Sequence, residues 1–149
     1  FSQVTELKEV LITAVNYKYL NAVDSEQNAM TVKQLEEKVA MFNLKGSEFY
    51  NDEYETYNIS FYIPDGKILA AYDKDGNLVR TIEKFKNVKL PKAVRDAIAK
   101  RFPNWSMTSD VYKVSFHIDK GVAKKQYKVT LKNGNETMKV KLDEKGNFK

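Results

Sequence analysis

Residues Tyr57 to Leu78 read YNISFYIPDGKILAAYDKDGNL. Tyr57, Ile59, Phe61 and Ile63 alternate with Asn58, Ser60 and Tyr62, the period of a strand that buries one face. Pro64-Asp65-Gly66 then turns the chain into Lys67 to Asp73, and Asp75-Gly76 turns it again into Leu78 to Glu83. An antiparallel meander is expected. The pattern returns seventy positions later as YKVTLKNGNETMKVKLDEKGNF, Tyr127 to Phe148, where Tyr57, Asp73, Gly76 and Asn77 recur as Tyr127, Asp143, Gly146 and Asn147. A second echo, at a spacing of 55, sets Tyr57 to Ile63 (YNISFYI) over Tyr112 to Ile118 (YKVSFHI). The chain reads as duplicated, with one extra strand in its second half.

Each half opens on a helical signal. Thr31 and Gln34 have the spacing of a capping box, and Val32, Leu35, Val39 and Phe42 share one stripe, which predicts a helix over about Val32 to Phe42. In the second half Leu90-Pro91 suits a helix start, with Pro91 at the first helical position, and Val94, Ala97, Ile98 and Phe102 form the apolar stripe before Pro103. Strands are predicted at Val111 to Ile118, Ala123 to Leu131 and Glu136 to Leu142, with turns at Asp119 to Gly121 and Asn133-Gly134. Residues 7 to 23, LKEVLITAVNYKYLNAV, mix β-branched and aromatic residues in two apolar phases and read as a strand or a bent pair of strands. Gly46 to Glu55 is a loop or an irregular edge strand. The predicted class is α+β: tandem units, each a helix followed by antiparallel strands, building one antiparallel sheet with helices on one face. The first unit covers about residues 30 to 83, the second about 89 to 149, and residues 1 to 29 form an N-terminal strand segment.

The chain has 149 residues, no cysteine and a net charge of +5. That length buries roughly 68 to 70% of the unfolded chain's surface, enough for a single domain without disulfides. The absence of cysteine excludes disulfides, thiolate nucleophiles and Cys-based zinc sites. Charge is split by halves, with net −6 over residues 1 to 75 and +11 over residues 76 to 149. Such asymmetry reads as complementarity within the molecule or as attraction for an anionic partner. No apolar run reaches the 18 or so residues of a membrane helix. The chain begins at Phe1, which reads as a cleaved signal peptide or as an expression boundary.

The motifs of known chemistry are absent or fail on inspection. His117 is the only histidine, and Ser115 lies two residues away on the same strand face, about 7 Å by the strand rise and too far for a nucleophile and its base. Asp73 to Asn77 (DKDGN) opens like a calcium loop, but position 6 is Leu78 and position 12 is Lys84, so it reads as a hairpin turn. No P-loop, dinucleotide fingerprint or metal cluster is present. No catalytic residue, metal or cofactor is expected. What remains is the strand phase opposite the core: Asn58, Ser60, Tyr62, Leu69 and Ala71 in the first half, and Lys113, Ser115, His117, Lys128, Thr130, Lys132, Lys139 and Lys141 in the second. The bland reading is a solvated one-sided sheet. The functional reading is a recognition face anchored by Tyr62 and steered by Lys113, His117, Lys128, Lys132, Lys139 and Lys141.

The run LPKAVRDAIAKRFPNW, VYKVSFHIDKG, KKQYKVTLKNG, MKVKLDEKGNF, spanning Leu90 to Phe148, resembles the PepSY-like and β-lactamase-inhibitor-protein-like domains of bacterial envelope and secreted proteins, especially of Bacteroidetes. Val32 to Leu78 fits more loosely as a first copy. The resemblance implies a tandem-repeat sheet with one face left for partners, export to the periplasm or beyond, and a non-enzymatic binding role such as hydrolase inhibition or envelope sensing. The expected partner is a protein or peptide. An anionic polymer bound through the basic half is the alternative: an acidic polysaccharide ahead of nucleic acid, which export disfavours.

Overall fold

A computed structural model describes residues 15–149. Among them are three helices, α1 (Tyr17–Val23), α2 (Met30–Met41) and α3 (Lys92–Arg101), and six strands. The strands are β1 (Thr56–Ile63), β2 (Gly66–Asp73), β3 (Leu78–Lys86), β4 (Ser106–His117), β5 (Lys124–Asn133) and β6 (Glu136–Leu142). They form one open antiparallel sheet in chain order, β1 to β6. The fold class is therefore α+β, as the sequence predicts.

The alternation read in β1 holds, with Tyr57 buried, Ile59, Phe61 and Ile63 half-buried, and Asn58, Ser60 and Tyr62 exposed. Across the sheet, Ile68, Ala70, Tyr72, Phe85, Tyr112, Val114, Phe116, Tyr127, Val129 and Leu131 continue the buried face. α2 contributes Val32, Leu35 and Val39, while Phe42 just beyond it packs edge-on against Phe61 and Tyr72. α3 buries Val94 and Ile98 and is held near the chain's last turn, where Gly146 abuts Ala93 and Ala97. That close approach needs a glycine: its φ is +88°, and an added Cβ would stand 2.5 Å from the Ala93 carbonyl oxygen.

The β1–β2 and β5–β6 hairpins have the same register. Each pairing from Tyr57↔Tyr72 to Ile63↔Gly66 has its counterpart seventy positions on, from Tyr127↔Leu142 to Asn133↔Glu136. The turns that follow also match. Asp73 Oδ1 accepts hydrogen bonds from the backbone N–H groups of Asp75 and Asn77, and Asp143 Oδ1 accepts from those of Lys145 and Asn147. DKDGN is thus an Asx-type turn whose carboxylate is already engaged by backbone donors.

Several local expectations fail for physical reasons. Within residues 7 to 23 the described part is the helix α1, not a strand; residues 7 to 14 of that expectation lie outside the described residues. Tyr19, Leu20 and Val23 bury one side of α1, Tyr19 packing edge-on against Phe116, so tertiary burial overrides the β-branched and aromatic composition. The Thr31–Gln34 capping box does not form. The helix begins at Met30 with Ala29 as its cap, which leaves Thr31 inside the first turn. Pro91 is the cap of α3 rather than its first residue. Gly46 to Glu55 is a loop of successive turns. β4 starts at Ser106, five residues before the expected Val111, because a bulge between Met107 and Ser109 lets the extra stretch pair with β5.

Candidate functional site

The sheet face opposite α1 and α2 is open, and the strand registers assemble it row by row. One row crosses the sheet as Tyr62, Lys67, Lys84, Lys113 and Gln126. Neighbouring strands lie about 4.8 Å apart, so each row presents one side chain per step of that size. The next row is Ser60, Leu69, Ile82, Ser115 and Lys124; beyond it lie Asn58, Ala71, Arg80 and His117. On the other side of the first row, Lys86, Val111, Lys128 and Lys141 follow one another, then Ser109, Thr130 and Lys139, then Ser106, Lys132 and Thr137.

All seven residues singled out from the sequence lie on this face, but not all lie together. Lys128 stands directly opposite Lys141, with Lys139 one step away beside Thr130 and Lys132 at the far end of β5. Lys113 is central, on β4. Tyr62 is on the edge strand at the other side of the sheet, 66% exposed, with the Lys67 ammonium 5.6 Å from its ring centroid. His117 lies opposite Arg80, and its Nδ1 accepts a hydrogen bond from the Asp119 backbone N–H.

The first half of this face carries cations beyond the uncharged Asn58, Ser60, Tyr62, Leu69 and Ala71 read from the sequence. β2 and β3 add Lys67, Arg80, Lys84 and Lys86, and β5 adds Lys124. Ten lysines and arginines therefore share the face. Among the described residues none of the ten forms an ion pair, and the only carboxylate in phase with them is Asp73, occupied by its own turn. The crowding is felt locally: the Lys139 charge, then partial desolvation and the charges of Lys141, Lys113 and Lys84, hold the Lys128 ammonium below its ordinary pKa.

Apolar groups interrupt the basic field. Ile82 is 51% exposed and lies beside Leu69, and these two with Tyr62 are the face's main contact surface for carbon. A depression of about 420 Å³ opens there, lined by Ile82, Lys84, Lys113, Ser115, Lys124 and Gln126. Cations beside the exposed Ile82 side chain suit an anionic partner that also carries apolar side chains. Ser115 and His117 share the face at alternate positions of β4, without a general-base arrangement between them.

A second concavity, about 690 Å³, lies on the helical side between α2 and the ends of β1 and β3, lined by Leu35, Met41, Ile63, Phe85 and Val88 with Glu37, Lys38, Asp65 and Lys86 among them. Its charges are mixed and select no ligand class. No protein-family model matches the chain, and no curated protein matches it. Among the described residues no helix is long and apolar enough to cross a membrane, and no group of three or more metal-ligating side chains gathers.

Proposed function

We propose that the protein is a non-enzymatic binding module that takes an acidic protein or peptide on the open face of its sheet. The observation that carries this reading is the accumulation of ten cations on one sheet face that also exposes Tyr62 and Ile82, with no ion pair to any of the ten among the described residues. A face of this kind raises the association rate with an anionic partner and excludes cationic ones. A face serving only solubility would gain from mixed signs, whereas like charges set directly opposite, as Lys128 and Lys141 are, oppose folding.

The proposal extends to lineage and location. The residues from Leu90 to Phe148 that resemble PepSY-like and β-lactamase-inhibitor-protein-like domains, and the two hairpins of equal register, support a chain made of two copies of a helix-and-strand unit. With that lineage goes a periplasmic or secreted setting and a role as hydrolase inhibitor or envelope sensor. An acidic polysaccharide is the second reading, favoured by the continuity of the cations over β2 to β6.

Affinity capture from a native envelope extract tests the proposal, using wild type beside a variant carrying Tyr62→Ala, Lys128→Glu and Lys141→Glu. The expected result is a protein partner held by wild type and lost by the variant. Equal capture by both excludes the open face. A ligand that survives protease digestion of the extract and weakens steeply with salt would instead be a polysaccharide.

A further inference from the structure

Two carboxyl groups are buried where the helical layer meets the sheet. Glu36 of α2 is wholly buried and Glu83 of β3 is 1% exposed. Glu83 Oε2 accepts hydrogen bonds from the Tyr19 hydroxyl at 2.9 Å and the Thr81 hydroxyl at 2.8 Å. Glu36 Oε1 accepts one from the Asn28 side-chain amide at 3.4 Å. The remaining two oxygens, Glu36 Oε2 and Glu83 Oε1, have no donor from any other group among the described residues. Each carboxyl thus keeps one donor-less oxygen inside the same helix–sheet layer, and the charge of Glu83 is felt at Glu36. Two carboxylates have only acceptors to offer, so a bond between them requires a proton on one.

From this geometry we infer that Glu36 and Glu83 share one proton at neutral pH, and that this proton latches α2 to β3, tightening the fold in acid and loosening it in base. The inference is independent of the open face, which lies on the other side of the sheet.

The surrounding groups favour one negative charge on the pair rather than two. α1 supplies the Tyr19 hydroxyl as a donor, the Tyr112 phenol of β4 and the Tyr127 phenol of β5 feel the charge of Glu36, and β5 also brings Lys125. Among the described residues Lys125 is the cation whose charge opposes the negative charge of the pair. It shares the cross-strand row Glu83, Val114, Lys125, and its ammonium also lies 3.5 Å from Glu144. Asp24, at the end of α1, adds a further negative charge toward Glu36. One cation divided between the pair and Glu144 cannot neutralise two buried carboxylates. Burial first, and then the charge of Glu83, raise Glu36 above the ordinary carboxyl range. Burial also raises Glu83, against the pull of its hydrogen bonds from Glu36, Thr81 and Tyr19 and of Lys125.

The sign follows. A carboxyl held protonated in the folded chain and released near pH ~4.3 in the unfolded chain stabilises the fold fully in acid, and this contribution is lost as pH rises. One retained proton corresponds to about a tenfold fall in the folding equilibrium constant per pH unit.

Infrared spectroscopy tests the shared proton directly. At about pH 8 every exposed carboxyl is ionised, and wild type should still show the carbonyl-stretch band of one un-ionised acid. Glu36→Gln supplies the pair with a permanent amide donor, so the band should disappear while the chain stays folded, and Glu83→Gln should alter it too. A wild-type spectrum without the band overturns the inference, as does a band that survives in both variants. If neither variant folds, the presence or absence of the band in wild type decides.

Discussion

Raising the pH from about 6.5 to about 8.5 should lower the stability of the wild-type protein, and Glu36→Gln should remove that dependence. The magnitude follows from one proton kept by the folded chain and surrendered by the unfolded one. Each pH unit then changes the unfolding free energy by about 1.4 kcal/mol, so two units remove about 2.7 kcal/mol. For a chain of this length that is a fall in Tm of about 5 to 10 °C. The window isolates the pair from the other shifted carboxyls. Burial raises Asp110 to about 6, so its contribution is already lost at the lower limit. Asp143 is lowered, chiefly by its hydrogen bond from the Asn147 backbone, so its contribution falls away only in acid, beneath the ordinary carboxylate range. Urea unfolding at a series of pH values gives the slope, and an unchanged m-value certifies that the same transition is followed. A wild-type slope near zero across the window, or the same slope in Glu36→Gln, would refute the reasoning.

Three further outcomes are expected. Tyr72→Phe removes a wholly buried hydroxyl that has no partner among the described residues, so denaturant midpoints should stay unchanged or rise by up to about 1 kcal/mol of stability. Gly146→Ala should cost about 2 kcal/mol or more, from the positive φ and the clash with the Ala93 carbonyl, measured by thermal unfolding. Lys128→Glu with Lys141→Glu should elute from a cation exchanger at markedly lower salt than a double replacement of the helix-side Lys92 and Lys100, because only the former breaks the continuous basic field.

The sheet was legible because period-two alternation and Asp-Gly or Asn-Gly turns are local signals; β1, β5 and β6 carry both, while β2, an apolar run, was placed by the turns on either side of it. The open-face residues of β4 to β6 followed from the same alternation. What escaped was whatever depends on packing across elements. α1 carries the composition of a strand, and only its burial against Phe116 makes it a helix. Arg80, Lys84 and Lys86 of β3 join the face through a register that shifts at Ala71/Tyr72, a bulge with no clear sequence mark. The Glu36–Glu83 pair did leave a trace. Glu36 follows Val32 by four and precedes Val39 by three, and Glu83 keeps step with Phe85, so each carboxyl sits in a buried phase. Their meeting required the tertiary structure.

The open sheet face as the binding surface is tested most directly by mapping backbone amide chemical shifts on the folded protein while the captured partner is added. Perturbations should cluster on Tyr62, Lys67, Ile82, Lys84, Lys113, Lys128 and Lys141. A footprint confined to α2 and the groove around Leu35, Met41 and Val88 would contradict it.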